Sequence, residues 1–306
     1  MKANIVSVKR FAVHDGDGIR TTVFFKGCPL ACKWCHNPEC ISCGVQVGFY
    51  EHKCVFCGKC AEVCPNGCNK IENRDGKPFR VFDRNRCTGC GKCAVVCHEN
   101  AIELYGKTVD TAALAAELIK DKPFFDSSGG GVTVSGGEPL MQADAAADLL
   151  KRIKAVGVST AVDTCGAVAR EAIEKVLPYT DAFLYDVKAI DPKVHKNCTG
   201  RGNALILDNL RFLGKVGAPV EIRVPYVPKY NDGEIDGIVK FIAEIKSVRA
   251  LRILSYHDYA KSKYAALGLN YGAESAVVPD KTEFGAIVDR VGKYLADVRP
   301  DIEIKR

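Results

Sequence analysis

The sequence predicts an α/β fold: a parallel β-sheet covered by helices, with a small cysteine-rich segment inserted in the first third of the chain. Two observations carry this prediction. Short apolar runs alternate with amphipathic helical stretches over six successive units, which is typical of parallel sheets with right-handed crossovers. Residues 46–105, by contrast, have little apolar content and hold more than half of the sixteen cysteines. The alternation is compatible with an open sheet or with part of a barrel.

Six apolar runs are the candidate strands of this sheet. They cover residues 21–26, 131–135, 158–162, 182–185, 220–224 and 250–254. The stretches between them carry apolar residues at helical spacing, as Ile235, Ile238 and Ile242 do. We expect these apolar residues to pack against the sheet and assign them no other role.

Polar residues or glycines lie at, or directly after, the end of each candidate strand. In chain order they are Cys28; Gly136, Gly137 and Glu138; Asp163 and Thr164; Asp186 and Lys188; Arg223; and Tyr256 and His257. In parallel α/β folds the chemistry gathers at the carboxyl ends of the strands. A polar residue at one strand end often only caps a neighbouring helix, but that alternative does not explain why all six ends carry such residues. We therefore expect these side chains to face one mouth.

Three cysteines, Cys28, Cys32 and Cys35, follow the first candidate strand within one short loop that also contains Trp34. A 4Fe–4S cluster normally takes four cysteine ligands, so a loop that supplies three leaves one iron open to an outside ligand. The alternatives are a structural zinc site or three unrelated thiols. Structural zinc sites generally use cysteine pairs two residues apart, which the Cys28–Cys32 spacing does not match. The loop thus predicts a 4Fe–4S cluster with one open iron.

Two further cysteine runs repeat one pattern, C-x₂-C-x₂-C-x₃-C. The first run is Cys54, Cys57, Cys60 and Cys64, and the second is Cys87, Cys90, Cys93 and Cys97. This is the bacterial ferredoxin pattern, in which the fourth cysteine of each run ligates the other cluster. Zinc is the alternative, but it does not explain two complete copies. We predict one 4Fe–4S cluster on Cys54, Cys57, Cys60 and Cys97, and another on Cys87, Cys90, Cys93 and Cys64.

Cys40, Cys43 and Cys68 remain without a predicted ligand role. The Cys40–Cys43 spacing is that of a metal-binding pair, so an alternative ligand role stays open. We interpret the three residues as free thiols near the clusters, because the ligands already assigned suffice.

Amino-acid composition and charge reduce the number of function classes that fit the chain. Hydrophobic residues make up 47% and charged residues 26% of the 306 residues, as in a soluble globular protein. The 43 basic and 37 acidic residues are interleaved, so the net charge of +6 does not indicate a nucleic-acid-binding surface. No signal peptide or membrane span is apparent, and cysteines in such a chain indicate metal or redox chemistry. We expect a cytoplasmic protein that binds neither nucleic acid nor membrane.

From about residue 11 to residue 264 the chain resembles the activating enzymes of glycyl radical enzymes. These are radical S-adenosylmethionine (SAM) proteins of the pyruvate formate-lyase activase type, here in the larger form with a two-cluster ferredoxin insert. The resemblance rests on residues 14–20, 28–39, 134–139, 163–166 and 186–188, on Arg223, and on residues 256–257, in the family's order. Asp17 stands where the family commonly has proline, and His98 stands where proline usually follows the last ferredoxin cysteine.

The resemblance implies a partial (β/α)6 barrel formed by residues 1–45 and 106–306, interrupted by a ferredoxin-like insert of residues 46–105. It implies three 4Fe–4S clusters, with SAM chelating the open iron of the cluster on the three-cysteine loop. The implied SAM-binding residues are Trp34, Gly136, Gly137, Glu138, Asp163, Thr164, Asp186, Lys188, Arg223 and His257.

The resemblance also implies a role at SAM for each of these residues except Trp34. The two glycines let backbone approach the methionine part of SAM, and Glu138 accepts hydrogen bonds from its ammonium group. Lys188 and Arg223 bind the methionine carboxylate, and His257 lies near the adenosine. Asp163, Thr164 and Asp186 offer oxygen ligands to a monovalent cation beside that carboxylate.

The implied reaction is the activation of a partner enzyme by an oxidoreductase. An electron donor such as flavodoxin or ferredoxin reduces the cluster, SAM is cleaved, and the 5′-deoxyadenosyl radical takes a hydrogen atom from a glycine of a glycyl radical enzyme. The partner's glycine loop is expected to bind Asp15, Gly16, Asp17, Gly18 and Arg20 of a monomeric activase.

Another radical SAM peptide-modifying enzyme is an alternative, although such enzymes usually carry auxiliary clusters after the barrel. An iron–sulfur electron carrier that binds no SAM is a second alternative. It would not explain the glycine pair or the polar residues at the later strand ends.

Overall fold

The computed structural model describes residues 1–305, which form thirteen β-strands and eleven α-helices. The strands are β1 (Lys2–Ala12), β2 (Arg20–Phe25), β3 (Gln46–Phe49), β4 (Asn69–Arg74), β5 (Lys77–Phe82), β6 (Ile102–Tyr105), β7 (Lys107–Asp110), β8 (Gly131–Gly136), β9 (Ser159–Thr164), β10 (Ala182–Asp186), β11 (Val220–Tyr226), β12 (Val248–Ser255) and β13 (Glu303–Lys305). The helices are α1 (Lys59–Glu62), α2 (Lys92–Val95), α3 (Thr111–Ile119), α4 (Lys122–Ser128), α5 (Ala143–Lys154), α6 (Arg170–Val176), α7 (Pro192–Thr199), α8 (Ala204–Val216), α9 (Ile235–Ala243), α10 (Lys261–Leu267) and α11 (Lys281–Val298).

One large sheet organises the fold, with the strand order β13-β12-β11-β10-β9-β8-β2-β1-β7 across the described residues. The six predicted strands are β2 and β8 to β12; they lie side by side and run parallel, which confirms the α/β class. β1 pairs with β2 in antiparallel orientation, with Ala12 opposite Arg20. The helical connections and the parallel order are consistent with the predicted partial barrel.

The hydrophobic core lies between the sheet and its helices. Val132 and Val134 of β8 and Leu149 and Ile153 of α5 are fully buried in one hydrophobic core, which also includes Ile222 of β11. Several helices begin at an aspartate, such as Asp191 before α7, whose carboxylate accepts hydrogen bonds from Lys193 N and Val194 N. This ordinary α/β packing supports the carboxyl ends of the strands, where the cleft described below opens.

The segment between β1 and β2, residues 13–19, lies against the inner face of the sheet. Arg223 Nη2 donates to His14 O at 2.5 Å, and Thr133 Oγ1 donates to Asp15 O at 2.7 Å. Gly18 has φ of +68°, and a Cβ there would lie 2.4 Å from Gly130 N. Only glycine is compatible with this crossing. The segment lies between a cavity at the carboxyl ends of the strands and a second cavity at their amino ends.

The cysteine-rich insert is attached through two paired strands. β3 and β6 are antiparallel, with Gln46 opposite Tyr105 and Phe49 opposite Ile102, so the chain enters and leaves the insert at one place. Between them lie the short helices α1 and α2 and the β4–β5 hairpin. No cysteine within residues 1–305 forms a disulfide. Across the same residues, no helix has both the length and the apolar character required to cross a membrane.

Candidate active site

A cleft of about 310 Å³ opens at the carboxyl ends of the parallel strands. Its lining includes these residues from the sequence-based set: Asp15, Cys28, Cys32, Trp34, Cys35, Gly136, Gly137, Asp163, Asp186, Lys188 and Arg223. The expectation that the strand ends share one mouth therefore agrees with the geometry for all six ends, since Ser255 and Tyr256 at the end of β12 also line the cleft. His257 does not line the cleft; its neighbour Tyr256 does.

The three-cysteine loop is held by backbone hydrogen bonds from both sides. Ala31 N donates to Thr199 O and Lys33 N to Cys198 O, each at 2.9 Å, so the last turn of α7 supports the middle of the loop. Cys28 N donates to Ile41 O at 2.9 Å. These bonds present the thiols of Cys28, Cys32 and Cys35 to the cleft as a set. These three cysteines would hold a cluster in the same cleft that the charged strand ends line.

The glycine pair Gly136 and Gly137, at the end of β8, is required by close packing against the end of β2 and the loop residues beyond it. A Cβ on Gly136 would lie 2.3 Å from both Phe25 N and Phe25 O. A Cβ on Gly137 would lie 2.3 Å from Gly27 O and 2.5 Å from Cys40 O. We predicted that these glycines let backbone approach SAM; both do line the cleft, but the clash that excludes a side chain is with the protein's own backbone.

Gly137→Ala is expected to destabilise the protein, because its Cβ would strike backbone atoms that cannot move easily. Gly27 N already donates to Cys40 O at 2.7 Å, which fixes both obstructing groups. We expect a loss of about 1–3 kcal/mol of unfolding free energy, measured by denaturant unfolding. Gly202→Ala is the control, because a Cβ there meets nothing within 4 Å. Equal stability of the two variants would contradict the packing role.

Five charged side chains face one another in the cleft. Lys188 Nζ lies 2.5 Å from Asp186 Oδ2, and Arg223 Nη1 lies 3.8 Å from Asp163 Oδ1 and 3.9 Å from Asp15 Oδ1. Burial raises the pKa of Asp163 to about 7, although Arg223 acts against this shift. Burial lowers the pKa of Arg223, but Asp163 and other nearby carboxylates outweigh it, so the net shift is upward. The two cations are thus held charged and are suited to binding a carboxylate.

Glu138 and Thr164 do not face the cleft. Glu138 is fully buried; its Oε1 accepts from Leu140 N at 3.0 Å, and its Oε2 accepts from Thr164 Oγ1 and Cys165 N, both at 2.8 Å. These hydrogen bonds join the end of β8 to the end of β9. A sequence pattern could not reveal this, because it depends on which way each side chain points. Binding of the SAM ammonium by Glu138 and of a cation by Thr164 stays a prediction.

His257 lies behind the wall of the cleft, stacked on His36 with ring centroids 3.9 Å apart. His36 lines the cleft together with Asn37, and neither was assigned a role from the sequence. Burial lowers the pKa of His36 to about 4, and burial also lowers the pKa of His257. Both imidazoles are therefore neutral at pH 7. Only their positions in the sequence could have indicated that they lie near the cleft. His36 directly follows the last cysteine of the loop, and His257 follows β12.

The expected partner-binding strip is divided between the two cavities. Asp15 lines the cleft, whereas Gly16, Asp17 and Arg20 line the cavity of about 350 Å³ at the opposite ends of the strands. Arg20 is buried and donates to Thr133 Oγ1 at 2.7 Å. Only Asp15 of these residues is therefore close to the cleft chemistry.

The cysteines of the insert line two separate cavities. One is lined by Cys54, Cys57, Cys60 and Cys97, and the other by Cys64, Cys87, Cys90 and Cys93, with Cys68 beside them. These are the two exchanged sets that the spacing predicts. Backbone amides point at several of these sulfurs: Phe56 N to Cys54 Sγ at 3.3 Å, Gly89 N to Cys87 Sγ at 3.4 Å and Ala101 N to Cys97 Sγ at 3.3 Å. Such hydrogen bonds favour thiolates that ligate iron.

No group of three or more His, Cys, Asp or Glu side chains within residues 1–305 converges as ligands of a single metal ion would. Each set of four cysteines instead surrounds a cavity. A four-iron cluster is larger than one ion, so its ligands surround a volume and do not meet at a point. The donor sets thus fit iron–sulfur clusters.

Family models match two parts of the chain. The radical SAM superfamily matches residues 84–242, and a 4Fe-4S dicluster domain matches residues 53–102. Among solved structures, SuiB of Streptococcus suis bound to S-adenosylmethionine superimposes with a TM-score of 0.52 at 16% identity, over 64% of this chain and 43% of that one. This likeness concerns the fold alone.

Curated relatives match over nearly their full length. The choline trimethylamine-lyase activating enzyme of Oleidesulfovibrio alaskensis is 41% identical over 298 residues, which is 96% of each chain. The trans-4-hydroxy-L-proline dehydratase activating enzyme of Clostridioides difficile is 40% identical over 94% of this chain and 95% of its own. The pyruvate formate-lyase 2-activating enzyme of Escherichia coli is 32% identical over 92% and 86% respectively.

Proposed function

The chain belongs to the radical SAM activating enzymes of glycyl radical enzymes, and from this premise we propose how its own residues serve that activity. It is an oxidoreductase that uses iron–sulfur clusters and SAM to install a glycyl radical on a partner enzyme. When bound, the SAM-binding cluster supplies the electron that cleaves SAM to methionine and a 5′-deoxyadenosyl radical. The alternatives of another peptide-modifying enzyme or an electron carrier find no support among these relatives.

The single observation that carries the proposal is the meeting of three thiols and two cations in one cleft. We assign Cys28, Cys32 and Cys35 as cluster ligands, and Lys188 and Arg223 as the groups that bind the methionine carboxylate. The glycine pair forms the floor beside them. Asp163, Asp186 and Thr164 are the candidate ligands of a monovalent cation, and the two aspartates line the cleft. SAM affinity should then depend on K⁺ or Na⁺.

The insert is proposed to hold two further 4Fe–4S clusters on the exchanged cysteine sets, which makes three clusters in the protein. We propose the domain division given above, with residues 46–105 as the insert. A flavodoxin or ferredoxin is the proposed electron donor, and the activase is proposed to act as a monomer. The many unpaired thiols support a reducing, cytoplasmic location.

The activity is tested with anaerobically reconstituted protein, SAM, dithionite and a panel of glycyl radical enzymes. The panel follows the relatives, which act on partners for choline and for hydroxyproline. We expect 5′-deoxyadenosine formation with every partner and a glycyl radical signal in electron paramagnetic resonance with the matching one. A variant partner whose radical glycine is alanine is the control. No SAM cleavage under these conditions would contradict the proposal.

Asp15 is proposed to contact the partner's glycine loop, because it is the one residue of the expected strip that lines the cleft. Its Oδ2 accepts from Thr22 Oγ1 at 2.7 Å, which fixes the carboxylate and leaves it partly exposed. Backbone amides of a bound peptide could donate to it. Asparagine can keep the bond from Thr22 but removes the negative charge, so it isolates the charged contact.

Asp15→Asn is expected to weaken partner binding by about 1.5–3 kcal/mol, tenfold or more. The measurements are glycyl radical yield against partner concentration and SAM cleavage without partner, which should stay near the wild-type rate. Asp17→Asn is the matched control, because Asp17 lines the opposite cavity and its side chain is 82% exposed. Equal loss of both activities in Asp15→Asn would mean that the residue supports the SAM site through Arg223.

A further inference from the structure

Helix α10 packs against the segment that follows the three-cysteine loop, and one lysine makes most of the polar contacts. Lys263 Nζ lies 2.6 Å from Glu39 Oε1, 3.1 Å from His36 O and 3.3 Å from Asn37 Oδ1. An ammonium group has three donors, so these three acceptors use its full capacity. A single side chain thus bonds to three residues of the segment 36–39, more than 220 positions away in the sequence.

Glu39 makes this contact energetically important. Its side chain is only 8% exposed, and its Oε2 is buried with no hydrogen-bond partner among the described residues. Lys26 Nζ lies nearby but donates to the backbone oxygen of Glu39, at 2.6 Å. Lys263 is therefore the cation that pairs directly with the buried carboxylate. Removing one partner of a buried ion pair leaves an uncompensated charge, which is strongly unfavourable.

The segment held by Lys263 forms one wall of the cleft. Cys35, His36 and Asn37 line the cleft, and His36 Nε2 lies 3.2 Å from His257 O. Beyond Glu39, Cys40 O accepts from Gly27 N at 2.7 Å, and it is one of the atoms that a Cβ on Gly137 would strike. A displacement of residues 36–39 would therefore move the wall of the cleft at one end and the floor at the other.

We propose that Lys263 is a positioning residue that keeps residues 36–39 at the distance from the charged strand ends that SAM binding requires. The inference rests on the proposed function, since it concerns the same cleft. Lys263 does not itself line the cleft, so its action on SAM passes through the backbone of His36 and the side chains of Asn37 and Glu39.

The test compares two lysines of the same helix. Lys263→Met keeps an unbranched side chain, one atom shorter, and removes its charge. Lys261→Met is the control, because Lys261 pairs at 2.8 Å with Asp258 where both side chains are about half exposed. Iron content and the equilibrium dissociation constant of SAM are measured on anaerobically reconstituted protein without reductant, so that neither readout depends on turnover.

We expect Lys263→Met to raise the SAM dissociation constant by about tenfold or more, and Lys261→Met to leave it within about twofold. Lys263→Arg should recover most of the affinity, because guanidinium can pair with Glu39. A folded Lys263→Met protein that binds SAM as tightly as the wild type would overturn the inference.

A second variant covers the case in which Lys263→Met loses iron or fails to fold. Glu39→Gln combined with Lys263→Met removes the unpaired buried charge, and we expect iron content to return while SAM affinity stays low. If this double variant binds SAM like the wild type, Lys263 only neutralises Glu39 and has no positioning role. Absence of SAM binding by the wild-type protein would instead contradict the proposed function itself.

Discussion

Replacing Cys28, Cys32 and Cys35 together with alanine is expected to abolish SAM cleavage and to remove about a third of the bound iron. The three thiols line the cleft, whereas the insert cysteines surround two separate cavities. Loss of the first set should therefore leave the other two clusters in place. Iron analysis and 5′-deoxyadenosine assays of the reconstituted protein measure the two effects.

Cys43→Ala is the control for this experiment and also addresses the role left open for that thiol. Cys43 is exposed, and its sulfur lies close to Gly27, next to the three-cysteine loop. We expect this variant to keep its iron and its activity. Iron loss in Cys43→Ala would make it a ligand, and wild-type iron content in the triple variant would show that the cluster is held elsewhere.

Lys188→Met is expected to weaken SAM binding by about 3 kcal/mol or more, at least a hundredfold. The side chain is 9% exposed, and its Nζ lies 2.5 Å from Asp186 Oδ2. Burial lowers the pKa of Lys188, but Asp186 and neighbouring thiols more than offset this, so the net pKa is raised and the ammonium is charged. Methionine would remove this charge and leave Asp186 and Asp163 facing the carboxylate of SAM.

The measurement for this prediction is the SAM dissociation constant without reductant. Lys193→Met, an exposed position on α7, is the control and should bind SAM normally. Adding Asp186→Asn to Lys188→Met should recover part of the affinity, because it removes a repulsive charge. Unchanged SAM binding in Lys188→Met would exclude the residue from the carboxylate site.

The sequence predicted the parallel strands and the cysteine sets because both signals are local. A buried parallel strand is a short apolar run, and the exchanged ligands follow from a fixed spacing. β1 was not predicted: its side chains alternate between buried and exposed and it is antiparallel, unlike the continuous apolar runs of the central strands.

Contacts between segments that are distant along the chain could not be predicted from the sequence. Glu138 has the position of a SAM ligand in the motif, yet its oxygens bond to residues of the next strand end. Lys263 carries no motif that marks it, and its importance depends on the approach of α10 to residues 36–39. The direction of a side chain and the meeting of remote segments are set by tertiary packing, which spacing does not encode.

The pairing of β3 with β6 has an evolutionary consequence. Because Gln46 lies opposite Tyr105, the polypeptide departs from the barrel and rejoins it at neighbouring points. A gene could acquire or lose the intervening codons without moving the strands that build the cleft, since a closed insertion at the surface costs little in chain entropy. Related activases could then differ in the number of auxiliary clusters through insertion or deletion at the β3–β6 junction alone. The strands that build the cleft would be inherited unchanged.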